Sequence, residues 1–432
     1  MIMKKIYYVI AAFLFLSCGD GVDLPSPGVE TDLYKLPTRE EDKEALMKVA
    51  LKPESEPMIH CGALHTPEDF EYIKARLSRD PWKTGYAALV DNYHSHLDYV
   101  ANPQADIRRG VSGDENYMRA ANDVAAAYQM GLRYHLGDGN AYADHAIEIL
   151  DSWAVTCKLV TGNTNSALAA GLYGYEFAVA GELLRDYWKE KDANGFARYQ
   201  QWMLDVFYVA NHEFLVNHFG TVPGHYWANW GLCNLASMIG IGILADRRDV
   251  YNEGIEHLQI GETNGRLTHA INHVFTGDYA NLAQWQESGR DIGHTMLCQG
   301  LMGVICQLTW NQGDDFFGYD DNRYLKGCEY NGRYLSAGMD VPFEAYYRTW
   351  NNAWGPTTDK ILTIAERNGS NGAGAIWALA YYHYAKIKGV DTEKCQYTKM
   401  GMEISFPEIA GLGGTSGGYD HLGYGNLMYA RD

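Results

Sequence analysis

Apolar residues recur at three- and four-residue spacing over 116–135, 141–157, 167–188, 196–217, 230–246, 294–309 and 371–387, the period of a helix with one buried face. Thr66-Pro67-Glu68-Asp69 is a helix start, with a threonine cap, proline at the first helical position and acids in the first turn. The links between periodic stretches are short and rich in Gly, Asn and Asp, as in Leu136-Gly137-Asp138-Gly139-Asn140 and Lys191-Asp192-Ala193-Asn194. Short links make consecutive helices antiparallel neighbours. No repeat of about 34 or 40 residues is visible, which argues against an open solenoid. The predicted fold is therefore all-α, an incomplete (α/α)6–7 toroid of antiparallel helical hairpins. The tail 396–432 departs from the pattern. Its run Gly411-Leu412-Gly413-Gly414-Thr415-Ser416-Gly417-Gly418 does not suit a helix, so the tail reads as irregular or as short strands wrapping the barrel.

The N-terminus has a different organisation. Lys4 and Lys5 precede an apolar run over residues 6–16, then Ser17-Cys18-Gly19-Asp20. The run is shorter than the roughly 20 residues of a membrane span. A small residue before a cysteine at this place resembles a lipobox, with Phe15 three before the cysteine. Residues 1–18 are read as a lipoprotein signal with Cys18 lipidated, against the plainer alternative of an ordinary cleaved signal. Residues 19–56, rich in Pro, Asp and Glu, read as a tether, and 57–432 as one domain. The expectation is an exported protein, held at the outer membrane by its lipid alone, periplasmic or surface-exposed, and monomeric.

Charge and composition narrow the partners. The formal net charge of -19 argues against nucleic acid or an anionic membrane face as partner. It leaves room for an anionic substrate in a local cationic cleft. Cys61, Cys157, Cys233, Cys298, Cys306, Cys328 and Cys395 show no paired spacing and read as buried thiols. His94 and His96 are two apart, which sends them to different faces of a helix, and no metal motif is present. No phosphate-cradling loop is present either, so neither metal nor cofactor is expected. The chain holds 32 Tyr, 11 Trp and 13 Phe. Most such rings belong between barrel helices. Rings interleaved with polar residues, as in His225-Tyr226-Trp227-Ala228-Asn229-Trp230, also suit sugar, whose C–H faces stack on aromatics.

Three stretches carry candidate chemistry. In Gly224-His225-Tyr226-Trp227-Ala228-Asn229-Trp230, a helix from Tyr226 would put Tyr226, Asn229 and Trp230 on one face with His225 at its start. In Trp285-Gln286-Glu287-Ser288-Gly289-Arg290-Asp291-Ile292-Gly293-His294, Arg290 and His294 are four apart and would point the same way on one helix. In Asn322-Arg323-Tyr324 through Glu329-Tyr330, a turn leads into a helix. Asn165 stands at a further helix start. Each also has a plainer reading: a core histidine, an Arg290 ion pair with Glu287 or Asp291, a helix-capping Asn229, a turn held by Arg323.

Together these segments, with Trp310-Asn311-Gln312-Gly313 and the closing Tyr419-Asp420-His421-Leu422-Gly423-Tyr424-Gly425, resemble the alginate-lyase superfamily of α/α-barrel polysaccharide lyases, nearest to polysaccharide lyase family 38, whose members cleave alginate or glucuronan. The resemblance runs from about residue 60 to the end. Tyr226-Trp227-Ala228-Asn229-Trp230 matches a Tyr-Trp-Ala-x-Trp element of the related family 5. The Asn-Asn-His expected before it is replaced by Pro223-Gly224-His225, and the tyrosine expected seven residues after Arg290 is Leu297.

The resemblance implies β-elimination on a polyuronate, alginate containing mannuronate first and glucuronan second. Such a lyase must neutralise the C5 carboxylate, remove the C5 proton and protonate the C4 oxygen. The expected set is Asn229 and Arg290 as neutralisers and His225 or His294 as base or carboxylate partner. Tyr226, then Tyr330, would be the acid. Asn165, Trp230, Gln286, Glu287, Arg323 and Tyr330 would contact substrate. Two other readings compete: a glycoside hydrolase using Glu287, Asp291 or Glu329, and a non-catalytic glycan-binding lipoprotein.

Overall fold

The computed structural model describes residues 47–412 and 419–432. Residues 1–18 with Cys18, the tether as far as residue 46, and 413–418 of the glycine-rich run lie outside the described residues. All described residues belong to one compact unit, Leu36–Asp432.

Helices α1 (Pro67–Lys74) and α2 (Trp82–Asp91) lead in. Thr66 caps α1 through a capping box with Asp69, as its sequence predicts. Strand β1 (Asp106–Arg109) precedes the inner helix α3 (Tyr117–Arg133), which turns back as the outer α4 (Asn140–Thr156). Strand β2 (Leu159–Gly162) precedes the inner α5 (Ser166–Leu183), followed by the outer α6 (Arg185–Trp202) and α7 (Val209–Asn217). The third hairpin is α8 (Ala228–Leu244) with α9 (Arg248–Ile260). A short turn α10 (Leu267–Ala270) and strands β3 (Ile271–Val274) and β4 (Ala283–Trp285) lead to α11 (Ile292–Asn311) and α12 (Tyr319–Asn331). Strands β5 (Tyr346–Asn352) and β6 (Gly355–Ile361) form an antiparallel hairpin. The inner α13 (Ala378–Tyr382), the outer α14 (Gln396–Ser405) and the turn α15 (Gly425–Met428) finish the chain.

Burial separates the two layers. Outer α4 buries Ala143, Ala146, Ile149, Leu150 and Trp153, one helical stripe. Inner α5 and α8 are buried on nearly every side. They approach closely through glycine. A Cβ on Gly171 would stand 2.4 Å from Cys233 Sγ, and one on Gly174 would stand 2.1 Å from Ser237 Oγ.

The inner helices start at a shared end. β1 and β2 are parallel neighbours, and each leads into an inner helix. The Ala228 amide opening α8 donates to Gln286 Oε1 at 3.1 Å, just before α11. The Tyr226 hydroxyl interacts with Thr164, just before α5. Helix starts carry free N–H groups and the positive dipole end, so this rim favours an anion.

Several expectations are corrected. The tail is not β: α14 buries Thr398, Gly401, Met402 and Ser405 at helical spacing, and no strand follows it among the described residues. Within 371–387, helix begins only at Ala378. Gln259 Oε1 accepts from the amides of Lys48 and Val49, both at 2.9 Å, so the end of the expected tether is fastened to the body. The predicted link at Lys191-Asp192 is present as a break inside α6, where Asp192 leaves helical geometry (φ -150°, ψ 83°). Among the described residues, no helix is long and apolar enough to cross a membrane.

Candidate active site

Three pieces meet beside the start of α8: the turn 222–227, the segment 286–294, and strand β5. Trp227 is the cap residue of α8, so His225 and Tyr226 sit ahead of the helix and do not share a helical face with Asn229 and Trp230. Asn264 Nδ2 pins the turn by donating to Gly224 O at 3.1 Å and Tyr226 O at 2.9 Å.

Glu287 is the buried pivot. Its Oε1 accepts from the Asn229 amide at 3.0 Å and from Asn229 Nδ2. Its Oε2 pairs with Arg290 Nη1 at 3.2 Å. Asn229 has thus committed its side-chain amine to Glu287, while its buried Oδ1 has no hydrogen-bond partner among the described residues. With Asn229 fully buried and its side-chain amine turned to Glu287, its task is to hold Glu287.

Arg290 precedes α11 instead of lying on it, so helical spacing is not what joins it to His294. Asp291 does so. It caps α11, with Oδ1 accepting from the His294 amide at 2.8 Å. Its Oδ2 is 2.7 Å from His294 Nδ1 and 3.6 Å from Arg290 Nε. Burial raises the Asp291 pKa, but the bonds from His294 and the charges of His294 and Arg290 outweigh it and hold the carboxyl below its usual range. In its neutral form, a His294 ring that donates Nδ1–H to Asp291 has Nε2 as its acceptor.

His225 has the opposite tautomer. The Asn351 amide donates to its Nδ1 at 2.8 Å, leaving the proton on Nε2. Burial, then the charge of Arg348, lowers its pKa and keeps it neutral. Val222 N donates to Asn351 Oδ1 at 2.7 Å, and Arg348 Nη2 donates to His225 O. These bonds dock β5 onto the turn. Arg290 and Arg348 both lie over the Trp227 ring, 5.3 and 4.3 Å from its centroid. The Tyr346 hydroxyl donates to Gln286 O.

The remaining expected residues fall in two groups. Tyr226 packs against Phe214 (5.1 Å), His225 (4.6 Å) and Trp230 (4.7 Å). Burial raises its pKa, against the opposing influence of Thr164 and Thr221. Asn165 opens α5 beside Thr164, with its amide donating to Asn163 Oδ1 at 2.9 Å. Gln286 is buried against the start of α8. Arg323, Tyr330 and Glu329 have structural tasks instead. Arg323 Nε donates to Ile271 O at 2.8 Å and its Nη1 to Asp320 at 2.6 Å. Tyr330 is fully buried and donates to Pro342 O at 3.0 Å. Glu329 accepts from Thr398 N at 2.8 Å and Oγ1 at 2.7 Å. Glu287 and Glu329 are therefore both enclosed and bonded, unlike the cleft-facing acids a hydrolase needs.

Strand β5, with Tyr346, Arg348 and Asn351, is what sequence reasoning missed. The signal was there in Tyr346-Tyr347-Arg348-Thr349-Trp350, aromatic and β-branched, ending at Trp354-Gly355. Among the described residues, no group of three or more His, Cys, Asp or Glu side chains could hold a metal ion.

The family model for alginate lyase matches residues 71–335. No curated protein matches the chain significantly. Among solved structures, alginate lyase A1-III from Sphingomonas species A1 is 14% identical with a TM-score of 0.54, covering 86% of this chain and 98% of that one. An alginate lyase from Bacteroides ovatus is likewise 14% identical, with a TM-score of 0.52, covering 87% of this chain and 100% of that one. Both show the same fold.

Proposed function

The chain belongs to the alginate lyase family and is a polysaccharide lyase, and from that premise we propose that it cleaves a polyuronate by β-elimination, with mannuronate-containing alginate as its substrate. The observation that carries this reading is the Asp291–His294 pair beside Arg290, with His294 Nδ1 bonded at 2.7 Å. A base oriented by a carboxylate next to a cation is what removal of a proton α to a carboxylate requires.

In this reading, Arg290 and the Nε2–H of His225 hold the C5 carboxylate as charge builds on it. His294 Nε2 takes the C5 proton. The C–H electrons form the C4–C5 double bond as the C4–O bond breaks. Tyr226, kept as a neutral phenol by burial, gives its proton to the leaving oxygen. A separate base and acid do not require one group to take and return the proton, which suits a polymer of mixed uronates. Asn165 and Trp230 would line the sugar path at the rim.

The unsaturated uronate product absorbs ultraviolet light. Absorbance is expected to rise with polymannuronate and mixed alginate, and to stay flat with a neutral glucan. A rise confined to glucuronan would replace alginate as substrate, and none on any uronate would overturn the lyase reading.

We also propose that Cys18 is lipidated and holds the enzyme at the outer membrane, supported by the charged start, apolar run and Ser17-Cys18 step. Labelled palmitate should enter the wild type and be lost in Cys18→Ala; equal labelling of both would refute the anchor.

A further inference from the structure

Arg290 already has two acidic neighbours. Glu287 Oε2 lies 3.2 Å from its Nη1, and Asp291 Oδ2 3.6 Å from its Nε. Much of its charge is therefore answered inside the protein. Arg348 is different. Among the described residues no Asp or Glu oxygen lies within 4.0 Å of its guanidinium. Its cross-strand partner is Asp359, yet that carboxylate accepts instead from Trp350 Nε1 at 2.6 Å. The Nη2 group of Arg348 goes to His225 O, and its buried Nε has no hydrogen-bond partner among the described residues. Burial and the like charge of Arg290 disfavour its protonated form and outweigh the more distant pull of Asp359 and Glu287. A half-buried cation that no carboxylate contacts, beside a second cation and over the same tryptophan, favours an anion.

We propose that Arg348 supplies this anion site, binding the carboxylate of the uronate unit next to the one being cleaved, so that hairpin β5–β6 makes the enzyme demand a charged neighbour. This rests on the polyuronate reading of the site. Arg290 and His225 serve the reacting unit, while Arg348, entering from a different element, reaches the adjoining one. A guanidinium suits a carboxylate, and the Trp227 ring offers an apolar surface beside it. Arg348 is a specificity residue: it sets which chains bind, and the proton transfers do not pass through it.

The test compares wild type, Arg348→Gln and Arg348→Lys on a polyuronate and on the same polymer partly methyl-esterified. Arg348→Gln should raise KM on the charged polymer about tenfold or more and leave kcat within about twofold. Arg348→Lys should fall between. Esterification should weaken wild type strongly and Arg348→Gln far less. Asn351→Ala, which removes only the side-chain acceptor of the Val222 amide and leaves the main-chain bond to His225 and the Arg348 charge in place, should retain the sensitivity to esterification. An unchanged KM in Arg348→Gln, or a kcat loss at constant KM, overturns the proposal. Calorimetric titration with a uronate oligosaccharide separates it from the lyase reading. If no uronate is cleaved, affinity lost in Arg348→Gln still supports the anion site, and equal affinity overturns it.

Discussion

Asp291 Oδ2 lies 2.7 Å from His294 Nδ1, and this one bond decides which ring nitrogen is open to a substrate. A carboxylate accepting from Nδ1–H leaves Nε2 as the acceptor, and a helix-capping carboxylate keeps the ring still. His294→Gln should lower kcat by roughly 10²- to 10⁴-fold, the usual worth of a positioned base. Asp291→Asn keeps the cap and loses the charge, so its loss should be smaller. Both are read by product absorbance, with melting curves to show an intact fold. A His294→Gln rate within threefold of wild type would remove the base from His294.

Glu287 joins α8 to the segment before α11 from a fully buried position. Glu287→Ala would leave the Asn229 amide, the Asn229 side-chain amine and Arg290 without their shared acceptor. The expected cost is about 3 kcal/mol of unfolding free energy, typical when one partner of a buried pair is removed. Glu287→Gln keeps an acceptor for Asn229 and should cost less. Urea unfolding measures both, and a Glu287→Ala protein as stable as wild type would contradict the pivot role.

His60 clamps the N-terminal segment at the far end of α5. Its Nδ1 is 2.6 Å from Glu182 and its Nε2 is 2.5 Å from Asp246. Burial lowers its pKa, but the two carboxylates outweigh this and lift it from 6.5 to about 9. A raised pKa means the folded state binds the proton more tightly. The stabilisation is complete below pH 6.5 and is lost as pH rises through 9. Melting temperature should fall across that window in the wild type, while His60→Asn should flatten this part of the profile. Parallel curves for the two proteins would refute the clamp.

Gly174 sits where α5 meets α8. An added Cβ would lie 2.1 Å from Ser237 Oγ and 3.2 Å from Phe207 Cδ1. Ser237 cannot simply turn away, because its hydroxyl donates to Asn211 Oδ1 at 2.7 Å. Gly174→Ala should therefore cost about 1–3 kcal/mol by overpacking, despite alanine's better helix propensity. A gain in stability, read by thermal or urea unfolding, would show that the two helices separate freely.

The legible part of the fold was the part governed by local period. Helices α3, α4, α5, α8 and α11 each fall close to a stretch that the apolar spacing marks. Among the helices missed are α9 and α14. Gly254 interrupts the apolar stripe of the first, and the second buries only small and polar residues besides Met402.

At the site, sequence alone located two of the three segments, around His225 and around Arg290 to His294, because their residue types matched a chemistry and a family. Spacing could not say how they meet. Arg290 and His294 were expected to share a helix, but α11 begins at Ile292 and a shared carboxylate joins them. Tyr330 and Arg323 look like site residues in a linear reading, yet their polar atoms are spent on Pro342, Ile271 and Asp320. Arg348 lies some sixty residues beyond Arg290 and enters only through a hairpin that tertiary contacts dock. Periodicity and capping are written within about ten residues of chain, so the sequence by itself determines the helices whose apolar stripe is unbroken and their antiparallel order. Tautomers, counterions and the choice of open cation depend on atoms brought together from distant segments, and only the folded molecule decides them.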